Sequence, residues 1–518
     1  MVILTPRALR IVALVVLTAV LAGGVRLAGL TREPLFVDET FSARFSTLEV
    51  DRILDLTARD IHPPLYYLGL ASWRGFFGDT VWDLRAYSVL WSLVGVGALA
   101  LLARHLAGGR GAVLVVIALA VVHPLDVYFA QTARMYSQLA ALSTLAAWLL
   151  WRWMISVVDE DRVSFWSKWA VAYAAAAVFL LYTHYLGVVV LVVQGIFALG
   201  YFAYTRRWSC LGGYLVCAGV SSAAFVPWLI RVLRFRDELY SQRHLIWIPA
   251  TGIKDGVGIL FRELMWGRAP LRAPWMSLTL MAAFFVVVGA AILLVRSTVR
   301  PAIQTNSSRC LDRLRLGYAL WLLVGPVAIA ILVSGLYHPI FYPPRFALLV
   351  LPPFLILLGR AFEQLGSLRW RWLAAALVFL LVAASTVVQS AVISRIHVDD
   401  FVELWSSKDQ PAAVVFFPSK ADRIASYYLG VRVRSATRED MDELVATGAS
   451  ASIWVCTTGD WRPRSLADRE FRKWLLALGP SRALVRTDDL AVVQVQLGRT
   501  GITPIEATNS ADRQIADR

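Results

Sequence analysis

The sequence predicts an α-helical, polytopic membrane protein with about eleven transmembrane helices and a small extracytoplasmic α/β module at its C-terminal end. Three observations predict it. Of the 518 residues, 58% are hydrophobic and only 17% charged, with a mean hydropathy of +0.61, too little polar surface for a water-soluble fold. Apolar runs of roughly 17 to 25 residues recur along most of the chain, each long enough to cross the hydrocarbon core as a helix that satisfies its own backbone groups. After Val392 the composition turns to that of a soluble domain.

The runs fall at 11–25, 86–103, 111–127, 135–153, 169–185, 186–204, 211–233, 275–295, 316–336, 346–359 and 372–392. The net charge of +15 does not mark a nucleic-acid partner, because the basic residues sit in short clusters between apolar runs. Arg7/Arg10, Arg104/Arg110, Arg152/Arg162/Lys168, Arg206/Arg207, Arg296/Arg300/Arg309/Arg313/Arg315 and Arg360/Arg369/Arg371 occupy alternate connections. By the positive-inside rule these connections and the N-terminus are cytoplasmic, and an odd number of spans puts the chain from about Ser394 onward on the opposite side. The first run is read as a retained helix: no small-x-small cleavage site follows it, and the parity of the later loops needs it. Cys210, Cys217, Cys310 and Cys456 give no disulfide framework and are read as structural.

The membrane domain is expected over residues 1–393. Two of its outer connections, 31–85 and 234–274, are too long to be turns, and loops of that length carry function or structure of their own. The first has an amphipathic stretch around 48–56, and the second holds Trp247, Phe261 and Trp266 among arginines; both suit segments lying at the membrane surface. In the soluble module, 394–499, β-rich runs at 412–417, 452–456 and 490–496 alternate with helical patterns at 421–429, 439–445 and 467–478. Pro418-Ser419-Lys420 stands where a glycine-rich phosphate loop would open the first helix, so nucleotide binding is not assigned. The polar tail, 500–518, is expected to be disordered.

Candidate chemistry gathers at the outer ends of the spans. Phe36-Val37-Asp38-Glu39-Thr40 places adjoining carboxylates just after the first apolar helix. Such a pair is a solvated loop feature, or Asp38 takes a proton from an attacking hydroxyl, or Asp38 and Glu39, with His62, hold a divalent cation through hard ligands. Asp60-Ile61-His62-Pro63-Pro64-Leu65-Tyr66-Tyr67 closes the same loop; its prolines fix a turn that either aims His62 and Tyr66 at a ligand or simply starts a helix anchored by interfacial tyrosines. In Gln131-Thr132-Ala133-Arg134-Met135-Tyr136, an outer guanidinium runs against the charge trend and wants an anion: a lipid phosphate, a headgroup, or Asp126. Tyr182-Thr183-His184-Tyr185 and Tyr337-His338-Pro339 with Tyr342-Pro343-Pro344-Arg345 repeat the pattern of basic residues among aromatics. Together these groups are placed to ring one cavity.

The Asp38-Glu39 pair, the His62-Pro63-Pro64-Leu65-Tyr66-Tyr67 and Gln131–Tyr136 segments and Tyr342-Pro343-Pro344-Arg345-Phe346 together resemble, over about residues 1–395, bacterial members of the dolichyl-phosphate-mannose protein mannosyltransferase family. That family lies within the C-type glycosyltransferase superfamily, alongside the lipid A aminoarabinose transferases. The resemblance implies the C-type glycosyltransferase fold and transfer of a sugar from a polyprenyl-phosphate-linked donor to a glycan, lipid or protein acceptor. It further implies that Asp38 acts as base or metal-associated acid and that Arg134 meets the donor phosphate. The aminoarabinose transferases typically have an acidic residue and a lysine before the paired prolines, where this chain has Ile61 and His62.

A polyprenyl phosphate leaves as a stable anion, so such a reaction needs mainly a base for the acceptor hydroxyl or amine and positive charge for the phosphate, with inversion at the anomeric carbon. The site is expected at the outer face of a bacterial inner or plasma membrane, with Tyr136, His184, Tyr342 and Arg345 also contacting substrate. A transporter or flippase for a lipid-linked or polar substrate is the main rival reading. Carriers commonly place broken helices and polar groups near the midplane, whereas the ionisable residues here gather at the outer ends. A non-catalytic anchor for the soluble module is the third.

Overall fold

The apolar runs fold as helices because, in lipid, an isolated span must pair its own N–H and C=O groups. The computed structural model describes residues 6–60, 62–159, 167–235, 252–268, 289, 306–337, 339–365, 367–392, 401, 404–406, 410–417, 425, 429, 435–446, 451–458, 466–478, 480–486 and 490–496. In the membrane region these form α1 (Pro6–Leu27), α2 (Val37–Phe45), α3 (Val50–Ala58), α4 (Leu65–Phe77), α5 (Val81–Leu106), α6 (Arg110–Val122), α7 (Pro124–Ala130), α8 (Tyr136–Asp159), α9 (Lys168–Thr183), α10 (Leu186–Tyr204), α11 (Trp208–Arg234), α12 (Ile253–Trp266), α13 (Asn306–Leu336), α14 (Pro343–Glu363) and α15 (Leu368–Val392).

Each predicted span coincides with one of these helices or with the bent pair α6–α7, except 275–295, which apart from residue 289 lies outside the described residues. So do Trp247, His338, most of 421–429 and the tail 500–518. Among the described residues, 7 helices are long and apolar enough to cross a membrane, or 8 if the bent pair is one span, and Val12–Leu27 and Lys168–Thr183 are shorter apolar helices. The chain is a multi-pass membrane protein. The amphipathic stretch of the first long loop is helical as α3, and the second long loop carries α12.

By packing, the chain forms two units, Met1–Leu30 with Phe45–Ile393, and Thr31–Arg44 with Ser394–Arg518. Within the first unit, α5 lies along α8, α8 along α9, α9 along α11, and α14 along both α13 and α6. The break between α6 and α7 has a local cause. Pro124 opens α7, and the residue before a proline is driven out of the helical region, so His123 is extended (φ −67°, ψ 122°) and the two helices meet at 49°.

This break is tied down by a buried arginine. Arg26, near the end of α1, has no exposed surface. It donates to Ser92 Oγ on α5 at 2.7 Å, to the α6 carbonyls of Val121 (2.9 Å) and Ala120 (3.0 Å), and to the Asp126 carboxylate on α7. Ser92 Oγ donates to the same carboxylate at 2.8 Å. A buried guanidinium is tolerated only when so many acceptors replace its water. Arg360, one of the basic residues expected in a cytoplasmic loop, is likewise buried, with Nη2 2.9 Å from both Asp312 oxygens and Nη1 2.8 Å from Leu106 O.

The second unit contains β1 (Ala413–Phe417), α16 (Arg438–Ala446), β2 (Ser452–Thr458), α17 (Leu466–Ala477), β3 (Ser481–Arg486) and β4 (Leu490–Gln496). The sheet order is β1-β2-β4-β3, with β1 and β2 parallel and the other pairs antiparallel. The parallel pair needs a crossover, as a tight turn cannot reverse its direction twice, and α16 lies in that connection. Side chains alternate along the strands. Val414, Phe416, Trp454, Cys456 and Val492 share one core with Phe401 and Leu404, against which Val37 of α2 packs. Val415, Ile453, Val455 and Val495 share the other with Met441 and Leu475. Strand β3 was not anticipated from the sequence.

Candidate functional site

Four stretches of the first unit bring their functional side chains together. Residues 62–64 lead into α4 through Pro63 and Pro64, which fix φ and withhold backbone donors. His62, 4% exposed, points its Nδ1 at Asp60 Oδ2, 3.3 Å away. A carboxylate accepts, so Nδ1 carries the proton and Nε2 of the neutral ring is left as a lone pair. Among the described residues, Nε2 is buried without a hydrogen-bond partner.

The short connection between α9 and α10 supplies the second imidazole. His184 caps α9 in extended conformation (φ −161°, ψ 141°) and is 5% exposed. Its Nδ1 accepts the backbone N–H of Leu186 at 3.0 Å, so the ring proton sits on Nε2. That Nε2 is also buried without a partner among the described residues. The two imidazoles meet edge to face with ring centroids 5.2 Å apart.

Arg134 stands in the turn between α7 and α8, 4% exposed, and its Nη1 donates to Tyr67 Oη at 3.2 Å. Its carbonyl accepts Ser88 Oγ at 3.3 Å, which fixes the turn against α5. Tyr136 opens α8, its ring 6.0 Å from that of His184. The Arg345 guanidinium, in the first turn of α14, lies 5.0 Å from the centroid of Tyr136 and 5.4 Å from that of Tyr342, within range of a cation–π attraction. Gln138 Nε2 donates to Thr183 Oγ1 at 3.0 Å and so ties α8 to α9 beside the site.

Burial holds the His62 imidazole below its ordinary value, helped by Arg134 and Arg345 and opposed by the Asp60 hydrogen bond and charge. His184 is held well below the ordinary value, first by burial, then by His62, Arg345 and Arg134. Burial pushes the Tyr67 phenol up, with Arg134 acting against it. Both histidines are therefore neutral near pH 7 beside two permanent cations.

Of the residues expected to bind substrate, His62, Arg134, Tyr136, His184, Tyr342 and Arg345 are linked by these contacts. Tyr66 is placed differently: fully buried, it packs against Tyr87 (centroids 5.5 Å apart) with its hydroxyl 3.4 Å from Ser88 Oγ, between α4 and α5. Tyr67 and Asp60 are the residues in its place at the site. They belong to the same motif, but neighbouring positions on a helix point about 100° apart, and only the start of α4 at Leu65 decides which tyrosine faces Arg134. The pairing of Asp126 with Arg134 that the sequence allowed is replaced by the Arg26–Asp126 pair.

Asp38 and Glu39 belong to the second unit, in the first turn of α2. Glu39 is buried and its carboxylate accepts the Phe36 N–H at 3.1 Å, half of a capping box. Asp38 is half-buried, and its carbonyl accepts Ser42 Oγ at 3.4 Å. Among the described residues no group of three or more His, Cys, Asp or Glu side chains is arranged to hold a metal ion.

No family model and no curated protein matches the sequence. The fold is similar to that of solved structures. ArnT from Cupriavidus metallidurans in the apo state is 16% identical, with a TM-score of 0.59 over 94% of this chain and 98% of its own. The same protein bound to undecaprenyl phosphate gives 0.58 at 16% identity, over 93% and 98%. The archaeal oligosaccharyltransferase AglB from Archaeoglobus fulgidus, in complex with an inhibitory peptide and a dolichol-phosphate, gives 0.52 at 10% identity, over 93% of this chain and 74% of its own. At these identities the likeness concerns architecture alone: this chain has the fold of these solved structures.

Proposed function

We propose that the protein is a membrane glycosyltransferase that moves a sugar from a polyprenyl-phosphate-linked donor to an acceptor hydroxyl or amine on the extracytoplasmic side. The observation that carries this reading is the pair of guanidiniums, Arg134 and Arg345, whose charges act on the same buried pair of neutral histidines. Two permanent cations at one site suit a phosphate, and a bidentate guanidinium matches its oxygens better than an ammonium does. The similar ArnT structure is of a protein bound to undecaprenyl phosphate.

In this reading Arg134 and Arg345 hold the phosphate and stabilise the charge that grows on it as the glycosidic bond breaks. Bond-making needs a base for the acceptor, and Asp38 is assigned that role on chemical grounds, with Glu39 fixing the turn that carries it. Direct attack inverts the anomeric carbon. The donor phosphate lipid leaves as an anion, so no general acid is required for it. The alternation of basic clusters along the sequence supports an extracytoplasmic site in a bacterial plasma membrane.

The test uses purified protein in lipid nanodiscs, offered radiolabelled polyprenyl phosphate sugars with candidate glycan, lipid and protein acceptors. Transfer by the wild type, and its loss by a factor of about a hundred or more in Asp38→Asn and Arg134→Ala, are expected. Full activity in both variants would remove the site assignment. Uptake of the sugar lipid into sealed vesicles without any transfer would replace the enzyme with a carrier.

A further inference from the structure

We propose that His62 and His184 form a hydroxyl clamp: His184 Nε2–H donates to, and His62 Nε2 accepts from, one hydroxyl group of the sugar carried by the phosphate lipid. The inference rests on the function proposed above and adds to it the group that the site reads. Its basis is the pair of tautomers. The Leu186 N–H occupies His184 Nδ1 at 3.0 Å and thereby places the proton on Nε2, while Asp60, 3.3 Å from His62 Nδ1, leaves Nε2 of that ring as an acceptor. One ring therefore offers a donor and the other a lone pair, side by side at a centroid distance of 5.2 Å.

Both nitrogens are buried and, among the described residues, without hydrogen-bond partners. Leaving two such buried groups without partners is costly, which points to a bound group that pairs with them. The chemistry of the pair narrows what that is. A phosphate or carboxylate oxygen accepts only; it would satisfy His184 and face the His62 lone pair with another. An ammonium donates only and would leave His184 Nε2–H unmet. A hydroxyl both accepts and donates and so satisfies the two rings in their present tautomers, as water does where no sugar is bound. The guanidiniums of Arg134 and Arg345 are close enough for their charge to act on both rings, so a phosphate held there would set the hydroxyls of its own sugar within the reach of the clamp. Tyr136, whose ring lies 6.0 Å from His184 and under Arg345, forms one wall of this subsite.

The clamp is tested by binding, without relying on turnover. In nanodiscs, the affinity of wild type is measured for undecaprenyl phosphate, bare and carrying mannose, glucose, galactose or arabinose. At least one sugar lipid should bind about tenfold tighter than the bare lipid, the gain expected of one well-placed hydroxyl satisfying two buried groups. In His62→Phe and His184→Phe that advantage should vanish, the ratio of the two affinities falling to one, and the bare-lipid binding that remains shows that the variants are folded. His184→Gln, whose side-chain amide keeps a donor near Nε2, should retain part of it. A deoxy analogue of the preferred sugar should lose the advantage in wild type and show no further loss in either Phe variant. Equal binding of bare and sugar-bearing lipids by wild type would overturn the clamp but leave a phosphate-lipid site standing. So would an equal loss of both lipids in the variants, which would mean that the histidines meet the phosphate. If no phosphate lipid binds at all, the proposed function falls and the clamp with it.

Discussion

Arg26 of α1 and Asp126 of α7 form an ion pair inside the helix bundle, 100 positions apart in sequence, and the same carboxylate also accepts Ser92 Oγ. The pair spans the 49° bend that Pro124 imposes, so four helices meet at one fully buried guanidinium. Breaking a buried pair from one side strands a charge, at a cost of about 3–5 kcal/mol. Arg26→Leu and Asp126→Leu are each expected to lose that much in a denaturant titration in detergent, whereas the double variant should cost less than either alone. Additive losses in the double variant would mean that the two groups act separately. Because α7 runs directly into the turn that holds Arg134, the single variants should also weaken binding of a phosphate lipid.

Arg134 itself should show the difference between a guanidinium and an ammonium. Its Nη1 donates to Tyr67 Oη at 3.2 Å, and a planar guanidinium matches two phosphate oxygens in a way that an ammonium does not. Arg134→Ala is expected to reduce affinity for undecaprenyl phosphate by about a hundredfold and Arg134→Lys by about tenfold. Tyr67→Phe should fall between wild type and the lysine variant, since it loosens the guanidinium without removing it. Measured by lipid binding in nanodiscs, equal affinity in the lysine variant and wild type would argue against bidentate phosphate recognition.

The buried histidines make stability depend on pH with a definite sign. His184 is held well below its usual value of 6.5 by burial, His62, Arg345 and Arg134, and His62 is held below the same value by burial, Arg134 and Arg345 against Asp60. Between the folded and unfolded values the unfolded chain binds more protons, so stability rises with pH there. It is complete above about pH 6.5 and falls as the solution is acidified below it. Thermal unfolding followed from pH 7.5 to pH 5 should show the midpoint dropping, and the drop should be smaller in His184→Gln, which cannot titrate. An unchanged slope in that variant would place the lost protons elsewhere.

Much of the bundle was legible because lipid permits so few solutions: a run of apolar residues near span length has little choice but a helix, and 111–127 read as one span even though Pro124 bends it. Individual candidate residues stood out too, since Arg134, His62 and His184 stand at span ends where a polar group needs a reason. What was not legible is pairing. Asp126 lies eight positions before Arg134, yet its partner is Arg26, because the turn after α7 carries Arg134 toward Tyr67 instead. Tyr66 and Tyr67 are equivalent in sequence, and the phase of α4 alone separates the packed one from the one at the site. Strand β3, Ser-Arg-Ala-Leu-Val-Arg, hid because it is mixed in polarity and bulged between Ala483 and Val485, where the alternation that marks a strand is interrupted. The tautomers of His62 and His184 depend on Asp60 and on the Leu186 backbone, and only their geometry reveals a complementary pair.

The turn that holds His184 depends on a residue with no side chain. Gly187 N–H donates to His184 O at 2.8 Å, and a Cβ at Gly187 would lie 2.8 Å from the Leu180 carbonyl oxygen and 2.9 Å from Leu180 Cγ. Neither contact can be relieved by rotating a flexible tip, because one is backbone of α9 and the other is the branch point of a side chain with no exposed surface. Gly187→Ala must therefore push α10 away from α9 and carry the His184 ring with it. A destabilisation of about 1–3 kcal/mol is expected from the overpacking. Gly200, in the same helix, has open space where its Cβ would be, so Gly200→Ala should be neutral or gain up to about 1 kcal/mol from helix propensity. Denaturant titrations of the two variants separate a general effect of alanine in α10 from a specific one at the turn. If Gly187→Ala unfolds like wild type yet still prefers the sugar-bearing lipid over the bare one, the turn is more compliant than its contacts imply, and the position of His184 is set by the Leu186 N–H alone.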